Sequence, residues 1–377
     1  MRVAIVHYWL LNRRGGEAVL EALCRLLPDA DLFTLFYDPE RVSPIIRERR
    51  VTSSFLNPLR RHYRSLLPLM PMALESFDLR GYDLVVSSES GPAKGVLAPS
   101  GARHICYCHT PMRYLWDLYP AYLHEFTQSG FKRALMAPIA NYLRLWDFAT
   151  AARVDEFVAN SQNVQRRIWK CYRRESEVIY PPVPVEKFYS KPSEDYYLVV
   201  SELVAYKRIE SVVRLFSKSG RKLRVVGDGP EYKSLKSMAR ANVEFLGRVP
   251  DEELREQYAR CRAFLMPGEE DFGITAVEAL ASGKAVIALG RGGVLESAPP
   301  GDRLGGILYP EPTDEALSTA ITRFEHVESY IAPQELQSSV ARFSESEFLA
   351  KMSRVLGISA TSRPHPSPRP ASYAAEL

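Results

Sequence analysis

Short apolar segments that alternate with helical stretches run through most of this chain of 377 residues. The first series lies at residues 3–8, 32–36, 84–87, 104–108, 156–159 and 177–180. The second series lies at residues 196–201, 223–226, 243–246, 263–266, 285–288 and 306–308. Buried strands separated by helices form parallel sheets that carry helices on both faces. The pattern therefore predicts two doubly wound α/β domains, with ligands at the carboxyl ends of the strands.

Two proline-containing segments separate the two series of predicted strands. They cover residues 181–184 and 190–193. Proline interrupts helices and central strands, so these segments mark a domain boundary and a hinge. We place the first domain at residues 1–185 and the second at residues 195–340. Residues 358–377 are rich in Ser, Pro, Ala and Arg, and this composition predicts a disordered tail.

Residues 270–280 read EDFGITAVEAL and carry the strongest functional signal in the chain. Phe272, Gly273 and Ile274 form a turn that opens a helix, whose free N–H groups and positive dipole end suit a phosphate. Glu270 lies on the loop and Glu278 about one turn inside the helix, so both can accept hydrogen bonds from hydroxyl groups. The segment predicts a site that binds a sugar and its nucleotide together. The alternative is an ordinary acidic loop before a core helix.

Two further glycine-containing turns point to the same kind of ligand. Gly15 and Gly16 follow the first predicted strand and open a helix at residues 18–27, as phosphate-binding turns do. Gly229 lies in the sequence GDGP after another predicted strand. This turn lacks the third glycine of a dinucleotide fingerprint, so it fits a tight turn near a nucleotide better than a dehydrogenase site.

Three segments together resemble a known enzyme family. They read SELVAYKR at residues 201–208, VVGDGPE at 225–231 and EEDFGITAVEALASGKAVIA at 269–288. In this order they are similar to the retaining glycosyltransferases of family 4, which have the GT-B architecture of two Rossmann-like domains facing across a cleft. Residues 107–117, YCHTPMRYLWD, resemble the bacterial mannosyltransferases that build O-antigen and exopolysaccharide units. The similarity spans residues 1–357.

The resemblance implies transfer of a hexose, with mannose from GDP-mannose as the first choice, to a lipid-linked or oligosaccharide acceptor. It also implies that no metal ion and no cofactor is required, that the domains close on the donor, and that a last helix at 341–357 returns to the first domain. A UDP-sugar donor is the first alternative. A catalytically silent nucleotide-sugar-binding subunit is the second.

The resemblance also assigns roles to individual residues. His109 is expected to contact the donor sugar near the reacting carbon. Lys207 and Arg208, together with the backbone around Gly273, are expected to stabilise the leaving diphosphate. Glu270 is expected to act in the same catalytic site by accepting hydrogen bonds from hydroxyl groups of the donor. Many relatives carry an arginine where this chain has Glu202, so Glu202 is expected to turn away or to pair with one of the two cations.

Charge is distributed unevenly along the chain. Residues 1–190 contain 25 Lys and Arg against 19 Asp and Glu, whereas residues 191–377 contain 24 against 26. Eight arginines lie within residues 41–80, beside an apolar run at 66–74. This combination suits an anionic membrane surface or a lipid-diphosphate acceptor; the alternative is a solvated basic helix with its apolar residues in the core. The pattern lacks the interleaved aromatic residues typical of nucleic acid binding.

The cysteine content and the N-terminus favour a cytoplasmic protein, peripheral to the membrane at most. Five cysteines form no disulfide-like framework, residues 1–6 do not resemble a cleavable signal, and no apolar run reaches 18 residues. Cys106 and Cys108 alternate on a predicted strand without a matching pair of ligands, which favours small core residues over a zinc site. Two interpretations remain open for the polar and aromatic residues that follow His109. They either shape the acceptor pocket or pack on a helix surface; the residues are Arg113, Tyr114, Trp116 and Asp117.

Overall fold

The computed structural model describes residues 1–12, 15–120 and 130–358, with no side chains described for 130–135. All but the first residue of the tail predicted at 358–377 therefore lie outside the described residues. Two separate parallel sheets dominate the structure, which confirms the predicted α/β class with two doubly wound domains. None of the helices in these ranges has the length and apolar character needed to span a bilayer.

The first sheet has seven strands in the order β3-β2-β1-β4-β5-β6-β7. The strands are β1 Val3–His7, β2 Asp31–Thr34, β3 Val51–Ser53, β4 Leu84–Glu89, β5 Arg103–Cys108, β6 Glu156–Ala159 and β7 Ser176–Val178. The helices around them are α1 Gly15–Leu26, α2 Pro44–Arg47, α3 Met70–Glu75, α4 Gly130–Thr150 and α5 Gln162–Tyr172. Between β3 and α3, a series of 3-10 turns covers Asn57–Leu69 and buries none of its side chains.

The second sheet has six strands in the order β10-β9-β8-β11-β12-β13. The strands are β8 Tyr197–Val200, β9 Leu223–Val226, β10 Val243–Gly247, β11 Ala263–Met266, β12 Ala285–Leu289 and β13 Gly306–Tyr309. The helices that follow the hinge are α6 Ile209–Ser219, α7 Tyr232–Met238, α8 Asp251–Arg260, α9 Ile274–Ala281, α10 Val294–Ser297, α11 Asp314–Val327, α12 Pro333–Ser339 and α13 Glu345–Leu356.

The predicted strands match the observed ones to within two residues at either end, except for β3, which was missed. β3 is three residues long, lies at the edge of the sheet and is not buried. Such a strand carries little of the apolar signal by which buried strands are recognised. The missed strand places the basic segment after residue 51 at one edge of the first domain.

Helix α13 ends the described chain on the first domain. Phe348, Met352 and Leu356 pack into the same core as Leu20 and Leu23 of α1. The chain therefore crosses between the domains twice. The two crossings touch, because the Val183 N–H donates to the Phe343 carbonyl over 2.9 Å. Any movement of one domain relative to the other must therefore displace both crossing segments together.

Candidate donor site in the cleft between the domains

His109 lies where β5 ends, at the carboxyl edge of the first sheet. Its backbone N–H donates to the Glu89 carbonyl at the end of the neighbouring β4, over 2.7 Å. Its ring nitrogen Nε2 lies 2.9 Å from the Ser88 hydroxyl. Burial, with a smaller contribution from His7, lowers the pKa of His109 to about 3. The imidazole is thus neutral near pH 7, which suits a hydrogen-bonding role better than that of a cation.

The N-termini of α1 and α9 meet across the cleft. A β-carbon added at Gly15 would lie 2.8 Å from Ile274 Cδ1, and one added at Gly16 would lie 3.7 Å from His109 Nε2. Gly273 precedes α9 with φ +93°, a conformation that favours glycine. Both helices present their unpaired N–H groups and positive dipole ends to the cleft, which creates a site for anionic groups.

Lys207 and Glu270 form an ion pair at the second-domain side of the cleft. The Lys207 ammonium donates directly to Glu270 Oε1. Burial by itself would lower the pKa of Lys207, but the Glu270 carboxylate outweighs this effect and the pKa is raised. Glu270 is therefore a carboxylate partner of Lys207 in the structure.

Arg208 points to a different place. It has left-handed backbone angles, with φ 57°, and its guanidinium donates to the Pro312 carbonyl over 2.5 Å. Lys207 and Arg208 were predicted to act together on the diphosphate. In the structure the two side chains have different partners, Glu270 for Lys207 and the Pro312 carbonyl for Arg208, and their shared role at the diphosphate stays a prediction.

Glu278 lies in the first turns of α9 beside a buried tyrosine. The Tyr258 hydroxyl donates to Glu278 Oε2 over 2.8 Å. Burial raises the pKa of Glu278 to about 7; the Tyr258 hydrogen bond opposes the shift and Asp251 adds to it. A carboxyl group in this state can donate or accept a hydrogen bond near neutral pH, which suits contact with sugar or ribose hydroxyls.

Two of the predicted donor-binding residues are held by the protein itself. The Phe272 side chain is 3% exposed and packs between Tyr180 and Phe343, so only its backbone can contact a donor. The Gly229 N–H is occupied by the Asp228 carboxylate over 2.8 Å. A β-carbon at Gly229 would lie 2.4 Å from the Leu203 carbonyl oxygen, so close backbone packing accounts for this glycine.

The acidic loop before Phe272 is bound to the first domain by arginines. Arg167 on α5 contacts Asp271 Oδ1 at 2.5 Å and Glu269 Oε1 at 2.9 Å. Arg113 lies 3.7 Å from Asp271 Oδ2, with its carboxylate neighbours raising its pKa despite burial. Sequence reasoning missed Arg167, because a single arginine on a helix carries no signal of a partner more than a hundred residues away.

Glu296 forms a second link between the domains. Its two carboxylate oxygens accept hydrogen bonds from the backbone N–H groups of Gln162 at 2.7 Å and Asn163 at 2.9 Å. These N–H groups begin α5, so a second-domain carboxylate caps a first-domain helix and complements its dipole. This contact between the domains was not predicted from the sequence.

The remaining candidates belong to the interior. Cys106 and Cys108 are buried, free thiols in an apolar cluster, as the core interpretation predicted. Trp116 donates its indole N–H to Asp147 Oδ2 over 2.7 Å, which favours packing over an open pocket for this side chain.

Across residues 1–12, 15–120 and 130–358, no group of three or more His, Cys, Asp or Glu is placed to hold a metal ion.

Comparison with known proteins identifies two matching family regions. Residues 13–187 match Glycosyltransferase Family 4, and residues 185–342 match Glycosyl transferases group 1. The boundary between them falls within the predicted hinge, so each predicted domain has its own match.

Individual relatives are more distant. An uncharacterized glycosyltransferase of Methanocaldococcus jannaschii is 26% identical over 147 residues, which are 38% of this chain and 42% of that protein. A GDP-mannose-dependent alpha-mannosyltransferase of Corynebacterium glutamicum is 38% identical over 98 residues, which are 26% of this chain and 24% of that protein. The matches thus span less than half the length of either relative.

A solved structure extends the likeness of fold to nearly the whole chain. HepE of Anabaena, crystallised with UDP and glucose, superposes with a TM-score of 0.68 at 16% identity, covering 95% of this chain and 99% of HepE. The two facing parallel sheets, the two consecutive family regions and this superposition agree with one another. The chain is therefore a GT-B glycosyltransferase and belongs to family 4.

Proposed function

We propose that this glycosyltransferase moves a hexose from a nucleotide diphosphate sugar with retention of the anomeric configuration and without a metal ion. The observation that carries the proposal is the meeting of two helix N-termini, at Gly15 and Ile274, in the cleft that also holds Lys207. A leaving diphosphate gains negative charge as the glycosidic bond breaks. Backbone N–H groups, helix dipoles and an ammonium stabilise that charge with the protein's own groups.

The Lys207–Glu270 pair gives the site a defined resting state. Without a donor, the ammonium and the carboxylate neutralise each other. When a donor binds, the ammonium turns to the diphosphate, and Glu270 becomes free to accept hydrogen bonds from sugar hydroxyls. One ion pair thus supplies both a phosphate contact and a sugar contact, and His109 faces the sugar from the first domain.

Mannose from GDP-mannose is the proposed donor. Support comes from the likeness of residues 107–117 to mannosyltransferases and from the 38% identity with a GDP-mannose-dependent enzyme over 98 residues. A UDP-sugar is the second candidate, because HepE, which has the same fold, was crystallised with UDP and glucose.

Thermal shift and nucleotide release with GDP-mannose and a panel of UDP-sugars would test the donor, each with and without EDTA. GDP-mannose alone is expected to stabilise the protein and to release GDP slowly, whether or not EDTA is present. Preference for a UDP-sugar would show that the donor is not GDP-mannose. Loss of activity in EDTA would overturn the proposed metal independence.

Loss of turnover in variants that still bind nucleotide would separate an enzyme from a silent binding subunit. Lys207→Ala and Glu270→Ala are expected to lose turnover. Lys218→Ala, an exposed lysine on α6, is the matched control and is expected to retain it. A wild-type protein that binds nucleotide sugars but shows no turnover would favour the silent subunit.

The acceptor is proposed to be a lipid-linked or free oligosaccharide, presented at an anionic membrane. The surface that supports this is the edge segment 55–72, where Phe55, Leu59 and Met72 are each more than half exposed. Arg60, Arg61 and Arg64 lie in the same segment. Exposed apolar and cationic side chains on one surface suit a bilayer with anionic headgroups.

The arginines and apolar residues of segment 41–80, here called the basic patch, do not all have the same environment. Arg49 donates to the Pro28 and Cys24 carbonyls, whereas Arg80 stays exposed and pairs with Asp78 in solvent. In the apolar run, Met70, Ala73 and Leu74 are in the core. These apolar residues follow the alternative interpretation, in which they belong to the core. The membrane proposal is therefore based on the apolar and basic residues that stay exposed.

Cosedimentation with vesicles would test the membrane surface. Binding to vesicles containing anionic lipid is expected, with little binding to phosphatidylcholine alone. Leu59→Ser and Met72→Ser should weaken it, whereas Leu304→Ser, equally exposed on the second domain, should not. Equal binding to neutral and anionic vesicles would contradict the proposal. So would a loss of vesicle binding in Leu304→Ser as large as that in Leu59→Ser and Met72→Ser.

A further inference from the structure

A row of three polar side chains lies behind the cleft at the carboxyl edge of the first sheet. His7 ends β1 and stands opposite Ser88 of β4 in the strand register, and His109 follows β5 on the other side of β4. His7 and Ser88 have no exposed surface. Because β1, β4 and β5 are adjacent strands, the sheet sets the distances between these three side chains.

One hydroxyl joins the two histidine rings. Ser88 Oγ lies 2.9 Å from His109 Nε2 and 3.2 Å from His7 Nδ1. A serine hydroxyl has a single hydrogen to donate and lone pairs that accept. When both bonds form, Ser88 either donates to one ring and accepts from the other, or accepts from both rings. The tautomers of the two histidines are therefore linked.

The environment of His7 selects one of these hydrogen-bond arrangements. His7 Nε2 has no hydrogen-bond partner among the described residues and lies 3.9 Å from the Glu17 carboxylate. A nearby carboxylate favours a hydrogen on Nε2 over a lone pair. His7 Nδ1 then accepts from Ser88, and the Ser88 oxygen accepts from Nε2–H of His109.

We propose that His7 and Ser88 are positioning residues that hold His109 in its Nε2–H tautomer and orient its ring in the cleft. The proposal rests on the proposed placement of His109 at the donor sugar. The other ring nitrogen, Nδ1, is left as a hydrogen-bond acceptor. Because the imidazole stays neutral near pH 7, one tautomer can persist throughout turnover.

The same strand supplies a matched control for the serine. Ser87 is also fully buried, and its hydroxyl lies 2.9 Å from Nε2 of His104. Ser87→Ala and Ser88→Ala therefore remove the same kind of bond from neighbouring positions of β4, but only Ser88 reaches His109. Ser88→Ala is expected to lower kcat by about 10- to 100-fold, the usual effect of losing a partner that orients a site residue. KM for the donor should change less than about threefold, and Ser87→Ala should leave kcat near that of the wild type.

Two substitutions of His7 distinguish hydrogen bonding from packing. Asn carries an amide oxygen near the position of Nδ1 and can still accept from Ser88, whereas Leu fills space without an acceptor. His7→Asn is expected to retain most of kcat and His7→Leu to lose it to the same degree as Ser88→Ala. Equal loss in both variants would show that only the shape of His7 matters and would overturn the proposal.

Nitrogen NMR on histidine-labelled protein reads the tautomer without any substrate. The wild type is expected to show His109 protonated at Nε2 only, assigned by the signals that disappear in His109→Gln. Ser88→Ala should give a mixture of tautomers and Ser87→Ala should not. A wild-type His109 protonated at Nδ1, or an unchanged spectrum in Ser88→Ala, would contradict the proposal. Absence of turnover with every nucleotide sugar would instead count against the proposed function, and the NMR result would still decide the tautomer.

Discussion

Arg167 places a guanidinium nitrogen 2.5 Å from Asp271 Oδ1, which joins α5 of the first domain to the acidic loop of the second. The second guanidinium nitrogen lies 2.9 Å from Glu269 Oε1. Glu270, between these two carboxylates, instead pairs with Lys207 of its own domain. The first domain therefore fixes the loop on both sides of the residue proposed to bind the sugar.

Replacing Arg167 should weaken donor binding more than folding. Arg167→Met removes both contacts to the loop, and we expect the donor KM to rise about 5- to 30-fold, equivalent to roughly 1–2 kcal/mol for a partly buried pair of ion contacts. Steady-state kinetics and small-angle scattering would detect the higher KM and a more open average shape. Arg166→Met, at the exposed neighbouring position, is the control. Unchanged KM and unchanged scattering would show that the link does not support closure.

Removing the Glu270 charge should affect nucleotide binding and turnover in opposite directions. In Glu270→Gln, Lys207 no longer has to leave its carboxylate, so the free nucleoside diphosphate should bind about 2- to 10-fold more tightly. Turnover should fall by about 100-fold or more, because the lost group is proposed to bind the sugar. Calorimetric titration and a turnover assay would measure the two effects. Weaker binding of the diphosphate would contradict competition between Glu270 and the ligand.

The Glu278 carboxyl should make stability depend on pH. Its pKa is raised from 4.5 to about 7, chiefly by burial. The folded state thus binds the proton more strongly than the unfolded state. Protonated Glu278 therefore adds to the free energy of unfolding below pH 4.5, and this stabilisation is lost as the pH rises to 7. Relative to the wild type, Glu278→Gln should therefore gain about 1–3 kcal/mol of unfolding free energy between pH 4.5 and pH 8. Denaturant titrations across this range would measure it. Glu335→Gln, at an exposed position, should show no such trend.

Adding a methyl group at Gly16 should impair the site without unfolding the domain. The new β-carbon would lie 2.8 Å from the Tyr8 hydroxyl and 3.7 Å from His109 Nε2. Gly16→Ala is expected to lower kcat/KM by about tenfold or more, because displaced site groups lose productive geometry. Gly101→Ala, where no atom lies within 4 Å of the added carbon, is the control. Equal activity in both variants would show that the space at Gly16 is not needed.

Loss of Lys94 should destabilise the first domain strongly. Lys94, Asp147 and Glu89 are all fully buried, with the ammonium bonded to Asp147 and 3.6 Å from Glu89. Lys94→Met leaves two buried carboxylates without their cation, at a cost of about 3–5 kcal/mol. Chemical denaturation would measure it. Arg103→Met breaks a partly exposed pair with Glu156 and should cost about 1 kcal/mol at most. Comparable effects of both substitutions would contradict this account of the buried triad.

The two-domain fold could be predicted from the sequence, because buried parallel strands are continuous apolar runs that can be recognised without knowing which strands lie beside them. The sequence also located the turn at Gly273, since a glycine before a helix is a local signal. It failed for β3, whose three residues at a sheet edge bury little.

Contacts between residues that are distant in the chain could be identified only in the folded molecule. The contacts of Arg167 with Asp271, of Glu296 with the start of α5, and of His7 with His109 through Ser88 join residues far apart in the chain. Such contacts depend on strand order and on the angle between the domains. Strand periodicity predicts neither quantity, because it reports only which face of each element is buried, not which element covers it.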